Sequence, residues 1–386
     1  MDPIQQSLEL PAPRKILAVF GTRPEAIKLA PVIKVLEEER DVFRTKICVS
    51  GQHREMLDQV LNVFSIRPDY DLDVMKPNQD LFDLTARVLL GLRDVLAQEK
   101  PDWILVQGDT TTAVIASLAG FYCGIKVGHV EAGLRSHNKN LPFPEEVNRR
   151  ITDVLADLYF VPTELSKNNL LKEGFSDGRI IVTGNTVIDA LVWLRQRIAH
   201  QAVEINALPN LDWSKQIILV TGHRRESFGQ DFKSICHALL AIAKLYPDVN
   251  IIYPVHLNPN VQAPVKKLLI NVPNLHLITP LDYEKFVWLM SKAYIILTDS
   301  GGIQEEAPAL NKPVLIMRRV TERPEGIAAG TAKLIGVEME AIVDNVRFLL
   351  EDSREYMRMA KAKNPYGDGT AAIKIVEVLR NYSSHT

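Results

Sequence analysis

Three carboxylates in the first half of the chain stand where chemistry could use them. Asp109, in QGDTTT at 107–112, and Glu131, in GHVEAGLRS at 128–136, each close an apolar run, and Glu145, in PFPEEVNRR at 142–150, follows the next loop. Any one of them alone reads most plainly as a helix cap or a solvated loop residue. Grouped at one end of a sheet they raise one another's proton affinity, so that some stay protonated as acids while others act as bases. Such a group moves protons at unactivated carbon or at a glycosidic oxygen. TGHRRES at 221–227 adds His223, followed by Arg224 and Arg225, a combination suited to a phosphate or a leaving group. The plainer reading there is a structural histidine. His256, in PVHLNPN at 254–260, has the same placement with less around it.

A second kind of chemistry is written in DSGGIQEE at 299–306. An apolar run precedes Ser300, Gly301 and Gly302, and Gln304, Glu305 and Glu306 open a helical segment after them. Strand, small-residue turn and helix N-terminus together make an anion site, with a carboxylate in reach of a ribose hydroxyl. The alternative is a serine cap with acidic residues suited to the helix dipole. GTRPEAIK at 21–28 is a similar turn carrying Arg23 and Lys28, yet it is neither a Walker A loop nor GxGxxG. TERPEG at 321–326 places Arg323 after another strand. The nine histidines show no HExxH and no His/Cys spacing for zinc, so no metal site is expected.

These residues need strands to carry them, and the sequence supplies two series. The first runs through apolar segments at 15–20, 46–50, 103–107 and 126–130, the end of PEEVNRRITDVLADLYFV at 144–161, and 180–184; the second through 216–220, 251–255, 275–278, 294–298 and 313–317. Helical spacing fills the intervals, for example at 23–39, where Pro31 predicts a kink, at 51–64 and at 81–98. Strand alternating with helix predicts an α/β fold with two doubly wound parallel sheets, and ligands in such sheets bind beyond the carboxyl ends of the strands. The pattern points to two domains facing one cleft, with a helical then polar linker over 185–208. A length of 386 residues agrees with two cores. A net charge of −2 disfavours nucleic acid or a polybasic membrane surface. The opening MDPIQQSLELPAPRK reads as a loose extension rather than a signal peptide, and no apolar run spans a bilayer. Cys48, Cys123 and Cys236 read as buried free thiols of a reducing cytoplasm.

Taken together, GTRPEAIK, QHREMLDQVL, GDTTT, GHVEAGLRS, PEE-NR, TGNTVIDAL, TGHRRES, PVHLNPNV, DSGGIQEEAP, TERPEG and NPYGDG at 364–369 resemble the non-hydrolysing UDP-N-acetylglucosamine 2-epimerases. The likeness covers everything after the first dozen residues. It implies a glycosyltransferase-B-like pair of Rossmann-like domains in a homodimer, with the C-terminal helix crossing back. The boundaries it suggests are an extension at 1–14, a carboxylate-bearing domain at 15–186, a UDP-binding domain at 187–364 and the returning helix at 365–386. It implies interconversion of UDP-GlcNAc and UDP-ManNAc without metal or NAD, by elimination of UDP to 2-acetamidoglucal and re-addition, supplying sugars for surface polysaccharide.

By the same resemblance, Asp109, Glu131, Glu145 and His223 correspond to catalytic groups. Arg23, Lys28, Ser300, Gly301, Gly302, Glu306 and Arg323 correspond to UDP-binding positions, with Phe286 at the uracil and Leu281 where some members have Gln. Gln52, Glu55, Glu145, Arg224 and His256 fit an allosteric site for a second UDP-GlcNAc, whereas Asn78 stands where some members carry Arg. RRVTERP at 318–324 and LPFPEE at 141–146 depart from the commoner RDTTERP and SPWPEE, placing Arg319 and Val320 beside the nucleotide loop. The competing readings are a 2-epimerase for a modified UDP-sugar, a UDP-sugar glycosyltransferase of this fold, a hydrolysing epimerase, and a binding protein without catalysis.

Overall fold

A computed structural model describes residues 12–51, 54–76, 79–199, 208 and 211–382. Residues 1–11 of the extension expected at 1–14, the linker residues 200–207, and Gln52 and Asn78 lie outside this set, as do the side chains of Glu55 and Arg225. The chain forms two compact units, one of residues 1–183 with 372–386 and one of residues 184–371.

The first unit runs β1 (Arg14–Phe20), α1 (Arg23–Glu38), β2 (Phe43–Val49), α2 (Arg54–Val63), β3 (Tyr70–Asp71), α3 (Leu81–Glu99), β4 (Trp103–Gln107), α4 (Thr111–Tyr122), β5 (Lys126–Val130), α5 (Glu145–Leu155), β6 (Leu158–Val161), α6 (Glu164–Lys172) and β7 (Ile180–Val182). Its seven strands are all parallel in the order β3-β2-β1-β4-β5-β6-β7. The runs that read as near-continuous apolar segments are the ones buried on both faces: β4 and β6 are buried at every residue. α1 continues through Pro31 as one element. α4 is apolar nearly all round because it packs on the sheet between α3 and α5.

The second unit runs α7 (Thr186–Ile198), β8 (Ile217–Thr221), α8 (Gln230–Leu245), β9 (Asn250–Pro254), α9 (Pro259–Leu268), β10 (Leu275–Ile278), α10 (Tyr283–Lys292), β11 (Ile295–Thr298), α11 (Gly301–Ala309), β12 (Val314–Ile316), α12 (Pro324–Ala328), β13 (Ala332–Leu334), α13 (Met339–Glu351) and α14 (Ser353–Ala360). Its parallel sheet has the order β10-β9-β8-β11-β12-β13. The last helix, α15 (Ala371–Asn381), returns to the first unit, where Arg380 pairs with Glu39 and Arg14 donates to the Leu379 and Tyr382 carbonyls.

In each sheet the winding reverses beside the first strand, between β1 and β4 and between β8 and β11. A switch point of this kind leaves a crevice beyond the strand ends, because the two connecting helices depart to opposite faces. Gly21–Thr22 and Gly108–Asp109 lie at the first switch point; Gly222–His223 and Asp299–Ser300 lie at the second.

Cys48 and Cys236 are buried free thiols as expected, but Cys123 is exposed. The apolar character of its neighbours misleads, since Phe121 and Tyr122 are themselves 63% and 68% exposed where α4 ends. Among the described residues, no helix is long and apolar enough to cross a membrane.

Candidate active site

The first unit wires its carboxylates together behind the β1, β4 and β5 ends. Glu131, directly after β5, has φ +66°, the left-handed region in which a residue with a side chain is strained. Its side chain is 8% exposed and ion-paired with Lys28 of α1, and it also accepts from Gln107 Nε2 at 3.1 Å. Lys28 is thus engaged with a carboxylate within its own unit. Gln107 ends β4 and leads into Asp109, which ion-pairs with Arg149 of α5 while its backbone carbonyl accepts from Asn148 Nδ2 at 3.0 Å.

Glu145 and Glu146, alike in the sequence, part ways here. Glu146 is fully buried and accepts from the Ser136 and His137 N–H groups at 2.9 and 3.3 Å and from Arg150 Nε at 3.2 Å, tying the preceding loop to α5. Glu145 begins α5 and is half-buried, and its Oε2 is buried without a hydrogen-bond partner. An unsatisfied buried carboxylate oxygen is costly, and a reacting group is a common reason for one.

One more carboxylate belongs to this wiring, and its sequence position disguised it as an ordinary first-turn acid. Glu25, in α1, is 1% exposed. Its Oε2 accepts from the Gly21 and Thr22 N–H groups at 3.0 and 2.8 Å, and its Oε1 from the Thr110 hydroxyl at 2.7 Å. Those two N–H groups, which a phosphate would otherwise use, are therefore occupied by a residue of the chain itself. Arg23, half-buried, stands on the same turn. Burial pushes the Glu25 carboxyl up to about 6, against the opposing effect of its hydrogen bonds.

The second unit gathers a different set. Ser300 precedes α11 without capping it through its side chain, and its N–H donates to Thr298 Oγ1 at 2.9 Å. A side chain at Gly301 would come within 4 Å of Arg224, Glu322 and Arg323, and one at Gly302 would approach Glu306 Oε1 at 3.6 Å. The glycines thus hold open a helix N-terminus ringed by two guanidinium groups and two carboxylates. Arg224 donates to Glu322 at 3.1 Å, and Arg323 pairs with the buried Glu305. Burial works against the Glu322 charge, but its own backbone N–H, Arg318 and Arg224 prevail and hold it down to about 2.

His223 is placed by Asp299, whose Oδ2 accepts from the His223 and Arg224 N–H groups at 2.7 and 2.8 Å. Its ring stacks on His256 with centroids 5.4 Å apart. Burial lowers the His223 imidazole from its ordinary value, Asp299 opposes this, and His256 and Arg224 add to it. Leu281 and Phe286 lie half-buried before and within α10. Arg319 is engaged with Asp231 and Glu338 at 3.1 and 3.0 Å, and Val320 is 73% exposed. Of the residues expected at a second nucleotide site, Glu145 belongs to the first unit and Arg224 and His256 to the second.

Sequence reasoning left out Glu25, Gln107, His129, Arg149 and Asp299. The T-x-x-E spacing of a capping box at 22–25 was the available signal for Glu25; the others announce nothing locally.

A family model described as UDP-N-acetylglucosamine 2-epimerase matches residues 35–380. The UDP-N-acetylglucosamine 2-epimerase of Escherichia coli K12 is 56% identical over 371 residues, covering 95% of this chain and 98% of that protein. That of Campylobacter jejuni is 54% identical over 373 residues, covering 95% and 97%. Among solved structures, the UDP-GlcNAc 2-epimerase of Neisseria meningitidis bound to UDP-GlcNAc aligns with a TM-score of 0.87 at 51% identity, covering 95% of this chain and 100% of that one.

The Glu25 environment gives a stability prediction. The folded chain holds this proton more tightly than the unfolded one, so the contribution is present below pH 4.5 and is lost as pH rises through about 6. The shift corresponds to about 2 kcal/mol. Denaturant titrations should therefore show wild type losing about 2 kcal/mol relative to Glu25→Gln between pH 4 and pH 7. A difference that does not vary with pH would contradict this environment for Glu25.

Proposed function

The chain belongs to the UDP-N-acetylglucosamine 2-epimerase family, and from that premise we propose that it interconverts UDP-N-acetylglucosamine and UDP-N-acetylmannosamine by eliminating and re-adding UDP. The observation that carries this reading is the continuous wiring of Glu131, Gln107, Asp109 and Arg149 to the helix that begins with Glu145. The proton at C2 is barely acidic, so a base alone does not suffice. As a carboxylate takes that proton, the C1–O bond breaks, UDP departs with the bonding pair, and 2-acetamidoglucal remains. Protonation of C2 from the opposite face and attack of a phosphate oxygen on C1 complete the exchange. Two faces call for two acid–base groups, and Asp109, Glu131 and Glu145 supply them.

The second set of groups suits the leaving group. The α11 N-terminus at Ser300–Gly302, with Arg224 and Arg323, favours a diphosphate, and in this reading Glu306, one turn further along the helix, takes a ribose hydroxyl. His223, lowered by burial, is suited to a phosphate oxygen as a neutral hydrogen-bonding group. Both sets must serve the same substrate molecule for elimination to occur. We assign the chain to a homodimer on a further observation: Val147, Ile151 and Val154 form a stripe at helical spacing on α5 and are 37%, 44% and 73% exposed. A single monomeric mass at micromolar concentration would remove that assignment.

Incubated with UDP-GlcNAc in D2O, the protein should produce UDP-ManNAc carrying deuterium at C2, followed by the anomeric NMR signals. Accumulation of UDP and free ManNAc would indicate the hydrolysing reaction instead, and no turnover would indicate a binding protein. Asp109→Asn should lower turnover by roughly 10²–10⁴-fold with UDP affinity little changed. Glu306→Ala should weaken UDP by about tenfold, the loss of one hydrogen bond to a charged group; unaltered UDP binding would remove Glu306 from the ribose.

A further inference from the structure

Behind Asp109 lies a histidine that meets no solvent. His129, on β5, is 0% exposed. Its Nε2 is 2.8 Å from the Gly108 carbonyl oxygen and its Nδ1 is 2.7 Å from Asp153 Oδ1. A carbonyl oxygen only accepts, so Nε2 carries a hydrogen. The other oxygen of Asp153 lies 2.7 Å from Arg135 Nη1, and that arginine side chain is itself fully buried. A carboxylate ion-paired with a buried guanidinium is an acceptor only, so Nδ1 carries a hydrogen as well. Arg135 is fixed in turn by Glu173, to which Nε and Nη2 donate at 2.8 and 2.7 Å.

The carbonyl at the end of this chain belongs to a glycine, the residue type with the least restricted backbone. Gly108 has φ +69°, and no atom lies within 4 Å of where a side chain would project. The Gly108 N–H donates to the Val130 carbonyl at 3.0 Å, and on the next peptide, the one that joins Gly108 to Asp109, the carbonyl meets His129. Val130 in turn separates His129 from Glu131. One buried ring therefore stands behind two of the three proposed acid–base carboxylates, Asp109 and Glu131, and bonds to neither.

We propose that His129 is a positioning residue for Asp109, acting as a doubly protonated ring that Asp153 holds against the Gly108 carbonyl. This deepens the epimerase reading and rests on it for its kinetic consequences, while the state of the ring can be read without any substrate. Ordered charge and fixed donors behind a reacting group matter because a displacement of about 1 Å lowers rate by on the order of 10²-fold.

The test combines nitrogen NMR with kinetics. In wild type labelled with 15N-histidine, the His129 resonances should show hydrogen on both ring nitrogens at neutral pH, and Asp153→Asn should leave only one. His129→Gln should lower kcat by on the order of 10²-fold with KM and UDP affinity within about twofold, measured per folded molecule. The double variant His129→Gln, Asp153→Asn rebuilds a neutral donor chain to the Gly108 carbonyl and should recover about tenfold, roughly one hydrogen bond. A single hydrogen on the wild-type ring would overturn the proposal even if no variant folds. It would also be overturned by a folded His129→Gln protein with unchanged kcat, or by one whose loss lies wholly in KM. A wild-type chain that does not epimerise, yet shows the doubly protonated ring, would instead overturn the functional reading.

Discussion

The ion pair between Lys28 and Glu131 is the interaction on which the first unit's site depends. It ties the helix after β1 to a residue beyond β5, with Gln107 of β4 binding the same carboxylate, so three elements meet at one group. The charges are almost withdrawn from water, at 16% and 8% side-chain exposure, and neither is tolerable there without the other. The backbone at Glu131 is held where a residue with a side chain is strained. Strain of this kind persists only where surrounding bonds fix it, and here they do. The parallel sheet makes the meeting possible, since it delivers every strand end to one edge.

The second unit solves a different problem with the same topology. Its switch point gathers backbone N–H and guanidinium groups, and its carboxylates hold those cations in place. Asp299 uses one carboxylate oxygen to hold the turn that carries His223 and Arg224, while Glu305 and Glu322 engage Arg323 and Arg224. In the first unit the cations hold the carboxylates; in the second the carboxylates hold the cations. Proton transfer suits the first arrangement, and retention of a leaving diphosphate suits the second.

Much of this was legible in the sequence, but unevenly. The strand at 15–20 and the one at 103–107 show themselves as apolar runs closed by Gly, whereas β3 and β13, of two and three residues, are too short to show any period. The residue types at the strand ends stand out because the topology gathers such positions at the carboxyl edge of each sheet. Partners were another matter. Arg149 meets Asp109 across 40 positions only once α5 has docked, and no local pattern announces it. Burial alone, which residue type cannot express, separates Glu145 from Glu146 and makes Glu25 a tie between two turns. The apolar neighbours of Cys123 suggested a core that the end of α4 does not provide.

The central claim is a division of labour, in which a proton is taken from C2 while the sugar–phosphate bond breaks and UDP stays held. UDP-GlcNAc labelled with 18O in the C1–O–P bridge tests it most directly. If the bond breaks in each turnover, the label should move from the bridge into the non-bridging positions of the β-phosphate as UDP-ManNAc forms. Exchange of the C2 proton with solvent while all the label stays in the bridge would contradict the account.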